Sequence, residues 1–193
     1  MIAETLNDLL SDLNIAADEG YSTPMQQLND TDNRYLKDLR INLKNVLQSE
    51  HLSEKESALI AYAISVNANN KNLQKSFSSL ALDKGASLDE LAETAACASL
   101  LAANNVLYRF RHFTGKEKYE QLPARIKMNI MMNPVLGKEF FELVSLAVSA
   151  VNGCEMCVKS HEKSVLHLGA TEERIFDAIR IASVIQSLNK IIG

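Results

Sequence analysis

The sequence predicts an all-α fold in which one helical unit occurs twice. Three observations carry this reading. The 193 residues hold only three prolines and seven glycines, so little interrupts the chain. Leu and Ala are the commonest residues, and no segment alternates as a strand would. Helix-start signals also recur with the same neighbours in the middle and at the end of the chain.

The elements follow in order. Residues 4–13 read as a short helix, and residues 20–24 as a turn around Gly20 and Pro24. Residues 34–49 place Leu36, Leu39, Leu43 and Leu47 close to one helical face. Ser53 with Glu56 forms a capping box that opens a helix to about Val66. A polar break at 67–72 precedes a helix ending at Gly85, a natural left-handed stop. Ser87 with Glu90 is a second capping box, opening an Ala-rich helix over 88–109. Its small residues Ala92, Ala95, Ala96 and Ser99 suit close approach of a neighbour. Residues 111–120 read as a charged surface loop and 123–132 as another helix. Asn133 and Pro134 mark a fresh start, followed by a helix over 138–151 and a break at Gly153. A further helix runs to Gly169, and Thr171 caps the last one, with Glu172 and Glu173 in its positive first turn.

The internal echo covers residues 55–66 and 138–149, each Lys-Glu followed by an apolar helix, at an offset of 83. The later Gly85-Ala86-Ser87 and Gly169-Ala170-Thr171 stops are 84 apart. The reading is one domain over 1–193, with a degenerate repeat at about 53–110 and a catalytic repeat at about 136–193.

Composition is that of a globular chain: 47% hydrophobic, 23% charged, with a formal charge of −4. Lys and Arg are scattered, which argues against nucleic acid as a partner. No apolar run reaches membrane-spanning length. The opening MIAETLNDLLSDLN has neither basic nor apolar signal regions, so the cytoplasm is the expected compartment. Three cysteines in a reducing compartment suit redox or metal chemistry better than a structural framework.

The chemistry concentrates in Cys154-Glu155-Met156-Cys157, with His161 four residues on and Glu142 twelve residues before Cys154. Gly153 permits a tight turn, placing both thiols in the first turn of a helix, where the backbone N–H groups favour thiolate. The two-residue spacer brings both sulfurs within disulfide reach, and His161 lies one turn along the same face. Glu142, on the preceding helix, approaches from the other side if that helix folds back. A thiolate beside acid–base groups suits peroxide attack, and a second thiol traps the sulfenic acid as a disulfide. Helix-field arguments alone favour the N-terminal cysteine as the attacking one. In the first repeat, at the offset of 83, the matching residues are Leu59, Lys71, Gln74 and Ser78, so only the second copy carries this chemistry.

Two Cys, one His and one Glu also form a conceivable zinc set, but no second CxxC or HxxxH cluster accompanies them, and no metal is expected. Cys97 reads as an inert buried residue, and His167 as a C-terminal helix charge. His51 and His112 read as exposed, and Met128, Met131 and Met132 as packing or an oligomer face. Tyr108 to Arg111 suggests a protein contact.

Glu142 followed by Cys154-Glu-Met-Cys157-Val-Lys-Ser-His161 resembles the active-site pattern of the alkyl hydroperoxide reductase D family, within the carboxymuconolactone-decarboxylase-like all-helical fold. The resemblance covers most of residues 35–190. It implies a redox-active Cys154–Cys157 disulfide, with Cys157 as the peroxide-attacking thiol and Cys154 as the resolving one. Glu142 and His161 would form the proton relay. It also implies an antioxidant oxidoreductase that binds no cofactor and draws electrons from dihydrolipoyl groups on a carrier protein. An NADH-dependent dihydrolipoyl dehydrogenase would recharge the carrier. The implied acceptors are organic hydroperoxides and a peroxiredoxin partner, and the implied assembly is a homotrimer or a set of trimers. One departure is Met156, where members of the family can carry a histidine; methionine relays no proton. The competing readings are a general disulfide reductase or stress protein with another partner, and a non-catalytic, redox-switched helical oligomer. Carboxymuconolactone decarboxylation leaves the paired thiols without a purpose.

Overall fold

The computed structural model describes residues 4–16, 19 and 22–193. Those residues form helices joined by turns and one longer irregular stretch, 122–137, with no strand among them. The all-α expectation holds.

Three helices make an N-terminal arm: α1 (Glu4–Asp12), α2 (Thr23–Asp30) and α3 (Tyr35–Leu47). The sequence reading missed α2. The turn expected at 20–24 falls partly outside the described residues, and from Ser22 onward the chain is a helix start. The Ser22 hydroxyl accepts the Met25 N–H, and Pro24 sits in the first turn, where its missing N–H costs nothing. In α3 the buried stripe is Leu36, Leu39, Leu43 and Val46; Leu47 is only partly covered. Arg40 pairs with both Asp8 and Asp12, tying α3 to α1.

The body of the fold is two runs of three helices. The first comprises α4 (Glu54–Asn67), α5 (Lys71–Asp83) and α6 (Leu88–Thr114). A short α7 (Glu117–Gln121) and a single 3-10 turn (Asn129–Met131) lead to the second run: α8 (Lys138–Val151), α9 (Glu155–His167) and α10 (Glu172–Leu188). Helices α4 and α8 are the central pair, packed against each other and against both α6 and α10. They are buried almost all round, as their lack of a polar face demands: Ser57–Ala61 and Leu143–Ser149 are wholly inside. The predicted capping boxes at Ser53–Glu56 and Ser87–Glu90 are both formed.

The two runs keep one register. Helices α4 and α8 each have fourteen residues, α5 and α9 thirteen, and all three pairs begin 84 residues apart. This corrects the offset of 83 read for the first part of the echo. The counterparts of Glu142, Cys154, Cys157 and His161 are therefore Ala58, Asn70, Leu73 and Phe77, not Leu59, Lys71, Gln74 and Ser78. Ala58, Leu73 and Phe77 are almost wholly buried, so the first run fills with hydrocarbon the space the second gives to polar chemistry. One ion pair recurs with its charges exchanged: Lys55 meets Glu90 in the first run, and Glu139 meets Arg174 in the second.

Three further expectations change. The helix from 88 continues to Thr114 and stops at Gly115 in left-handed conformation (φ 55°), so residues 111–114 are not loop. The charged run misled because Arg111 points inward, where its guanidinium donates to the Leu122 carbonyl. Residues 123–132 are not a helix: Leu122 before Pro123 is extended, Arg125 has φ 53°, and only the 3-10 turn forms. Finally, Ala92, Ala96 and Ser99 face outward; the buried stripe of α6 is Leu91, Thr94, Cys97, Ala98 and Leu101.

Candidate active site

Helix α8 ends and α9 begins within three residues. The Asn152 N–H bonds the Val148 carbonyl, Gly153 bonds Ala150, and Cys154 reaches back to Ser149 at 3.1 Å. Such a wrapped helix end needs a left-handed residue, and Gly153 supplies it with φ 67°. The turn folds α9 back along α8 and makes Cys154 the residue just before α9, with Cys157 in its first turn. No side chain caps the α9 N-terminus, so its free N–H groups and positive field remain beside the sulfurs.

Cys154 and Cys157 are joined as a disulfide, with Cα atoms 5.3 Å apart. Their exposure differs: Cys154 is fully enclosed, whereas Cys157 is 7% accessible. His161 lies one turn beyond Cys157, and its Nδ1 is 2.7 Å from Glu142 Oε2 on α8. Both of these side chains are mostly covered, at 12% and 19% exposure, which strengthens the pair relative to one in open water.

A cleft of about 330 Å³ opens in front of Cys157. Leu101, Asn104 and Tyr108 of α6 form one wall, and Met128 and Met131 come from the 3-10 segment. Met156, Cys157, Ser160 and His161 of α9 form the rest. Cys154 and Glu142 do not line it. The expected set is thus brought together in depth: Cys157 and His161 at the cleft, Cys154 behind one and Glu142 behind the other. Glu142, on the helix that folds back against α9, meets the histidine. Among the described residues, no group of three or more His, Cys, Asp or Glu side chains is arranged to hold a metal ion.

Several contributors escaped the sequence reading. Met128 and Met131, taken for packing, and Tyr108, taken for a protein contact, line the cleft. Met156 also lines it. Asn152, beside the Gly153 break, anchors the turn that carries Cys154. Its side chain exchanges hydrogen bonds with Asn67 at 2.9 and 3.1 Å and donates to Asn105 Oδ1 at 2.8 Å. Arg109 donates to its carbonyl, and Asn105 in turn donates to Ser149 at 3.0 Å. A long apolar helix such as α6 with two consecutive buried asparagines, Asn104 and Asn105, was the available signal: buried amides need partners.

The remaining candidates lie elsewhere. Cys97 is buried with Sγ 3.3 Å from Ser145 Oγ, and burial pushes its thiol up to about 12, which keeps it unreactive at neutral pH. His51 is partly exposed and meets Asp177 at 3.1 Å; His112 meets Glu155 at 3.2 Å. His167 lies exposed in the last turn of α9.

Comparison with known proteins agrees with this geometry. The carboxymuconolactone decarboxylase family profile matches residues 117–191. The chain is 40% identical over 153 residues to an alkyl hydroperoxide reductase AhpD of Anaeromyxobacter dehalogenans, covering 78% of this chain and 81% of that one. It is 39% identical over 163 residues to the AhpD of Coxiella burnetii, covering 81% and 90%. The fold matches a solved structure from Burkholderia xenovorans LB400, assigned to the gamma-carboxymuconolactone decarboxylase subunits, with a TM-score of 0.66 at 17% identity over 98% and 95% of the two chains. No helix among the described residues is long and apolar enough to cross a membrane. The chain belongs to the AhpD family of the carboxymuconolactone-decarboxylase-like proteins, and its paired cysteines make it a thiol-based redox enzyme.

Proposed function

We propose that the protein is an antioxidant dithiol reductase that reduces organic hydroperoxides or recycles an oxidised peroxiredoxin, using electrons from a dihydrolipoyl carrier. The observation that carries this reading is the order in depth at the cleft: Cys157 and His161 face it, with Cys154 and Glu142 directly behind.

In the peroxidase cycle the Cys157 thiolate attacks the distal oxygen of the hydroperoxide, and the O–O bond breaks. The alkoxide leaves as the alcohol, taking its proton from His161, and Cys157 becomes a sulfenic acid. Glu142 holds the His161 ring and balances the imidazolium charge. The Cys154 thiol then attacks the sulfenic sulfur, water leaves, and the disulfide forms. A dihydrolipoyl dithiol returns two electrons and two protons by thiol–disulfide exchange, and a dihydrolipoyl dehydrogenase recharges it from NADH. In the adaptor cycle the reduced pair passes the same electrons to a peroxiredoxin disulfide.

The same reading takes the chain as one domain built by duplication. It places the protein in the cytoplasm and gives it a trimeric assembly. The outward Val106, Phe110 and Phe113 of α6, exposed to between 46% and 74%, support such an assembly. A general disulfide reductase serving another partner is the second reading. The apolar, uncharged character of the Leu101, Met128 and Met131 walls suits many thiol substrates.

The test is NADH consumption by reduced protein mixed with tert-butyl hydroperoxide, dihydrolipoamide and its recycling enzyme, with Cys157→Ser as control. Cysteine-dependent consumption is the expected result. A disulfide that dihydrolipoamide reduces without peroxide turnover assigns the adaptor role. A pair that forms no disulfide at all overturns the proposal.

A further inference from the structure

The turn that carries Cys154 has little rigidity of its own, with Gly153 at its centre and no capping side chain where α9 begins. Side chains from two other helices hold it. Asn67, the last residue of α4, exchanges a reciprocal pair of amide hydrogen bonds with Asn152, at 2.9 and 3.1 Å. Asn105 of α6 accepts the other Asn152 N–H at 2.8 Å and donates to the Ser149 hydroxyl at 3.0 Å. The Ser149 carbonyl in turn accepts the Cys154 N–H. The amides thus grip the turn at both Ser149 and Asn152.

The first run lacks this clamp while keeping some of its parts. At the offset of 84, Ser65 stands for Ser149 and Asn189 for Asn105, but Ala68 stands for Asn152. The Asn189 Oδ1 is accordingly buried without a partner among the described residues. The Ser65 hydroxyl turns back to the Ala61 carbonyl of its own helix at 2.8 Å. The completed network accompanies the thiols, not the repeat, and a tie serving only to join the two runs does not require that.

We propose that Asn67 is a positioning residue of the redox couple: from the run without thiols it acts through Asn152 to favour the Cys154–Cys157 disulfide over the dithiol. None of its hydrogen bonds involves a sulfur. Reduction breaks the S–S bond, and an external dithiol supplies two electrons and two protons while closing to its own cyclic disulfide. A turn free to relax gains freedom when that bond opens, which favours the dithiol. A clamped turn withholds the gain and keeps each thiol at high effective concentration beside the other. The clamp therefore makes the reduced pair a stronger electron donor. It acts on the thiol couple itself, whichever oxidant or carrier the protein serves.

The experiment is equilibration of the purified protein in dithiothreitol redox buffers, with the dithiol fraction read by mass after alkylation. Asn67→Ala is expected to shift the equilibrium about tenfold toward the dithiol, about 30 mV for a two-electron couple. Asn67→Ala combined with Asn152→Ala is expected to shift it no further than Asn152→Ala alone, because one residue acts through the other. Asn70→Ala is the control for general loosening. It removes the α5 cap on the Leu73 N–H and the bond to the Ile192 carbonyl, so it lowers stability. It is expected to leave the equilibrium within about twofold of wild type, since it does not touch the Asn152 clamp. Asn67→Ser carries the same expected direction should the alanine variant not fold. Wild-type equilibria in the Asn67 variants, additive shifts in the double variant, or an equal shift in Asn70→Ala each overturn the proposal.

Discussion

Cys154 stands in α9 where Asn70 stands in α5: each is the residue immediately before a thirteen-residue helix, 84 positions apart. Asn70 uses its side chain to accept the Leu73 N–H at 3.0 Å, whereas Cys154 leaves the corresponding N–H groups uncapped. The second run thus forgoes a stabilising cap where a thiol is required. Replacing Cys154 by Ser is expected to stabilise the reduced protein by about 0.5–1 kcal/mol, because the hydroxyl caps α9. Urea unfolding in excess reductant measures this; a clear loss of stability contradicts the capping argument.

The same variant separates the two sulfurs chemically. Since Cys157 faces the cleft and Cys154 is fully enclosed, peroxide is expected to leave a trappable sulfenic acid on Cys157 in Cys154→Ser, with turnover abolished. Cys157→Ser is expected to lose turnover and form no adduct with a dimedone-type reagent. An adduct found only in Cys157→Ser reverses the assignment of roles.

The contact between His161 and Glu142 predicts coupled losses. If His161 is the proton donor proposed above, His161→Gln is expected to slow peroxide reduction about 100-fold. Glu142→Gln keeps a hydrogen-bond acceptor but not the charge, so its loss should be smaller. In the double variant the effects should fall short of additive, because both act through one ring. Two full, additive losses in stopped-flow rates separate the residues and refute the relay. Circular dichroism should remain helical throughout.

Away from the site, Arg174 of α10 binds Glu56 of α4 and Glu139 of α8 and donates to the His51 carbonyl, locking the two runs together. Burial raises the Glu56 carboxyl, but the Arg174 guanidinium and the Ser53 backbone outweigh it and hold the group below its ordinary 4.5. A carboxyl depressed in the folded state gives stability that is present above 4.5 and lost as pH falls through its lower folded value. Stability should therefore decline as the pH is lowered from about 5 toward 3. Arg174→Met is expected to cost about 2 kcal/mol at pH 7, since it strands two partly buried carboxylates. It should also flatten that acid-side decline. Urea midpoints across this pH range test both; an unflattened profile removes Glu56 as the group responsible.

The helix content, the capping boxes at Ser53 and Ser87, the break at Gly153 and the Cys154–Cys157 pair with His161 one turn on were legible in the chain, because each depends on local spacing. Composition hid the end of α6: Arg111 looks like a surface charge until the Leu122 carbonyl meets it. The expected helix over 123–132 failed for a related reason. Its apolar methionines suggest a packed face, but Met128 and Met131 line the cleft, and the backbone there is irregular save for one 3-10 turn. The repeat was visible, yet its register was not. Sequence likeness slipped by one residue, and only matching helix ends, with the exchanged pair Lys55–Glu90 and Glu139–Arg174, set it at 84.

The sequence by itself determined that this protein is helical and that a dithiol with acid–base neighbours begins its penultimate long helix, since helix propensity, capping and CxxC spacing act within a few residues. Only the tertiary structure decided which thiol meets the cleft, that Glu142 serves His161, and that Asn104, Met128 and Asn152 belong to the site. Those facts depend on how α6, α8 and α9 pack, and burial and hydrogen-bond pairing between distant segments are properties of the folded chain alone.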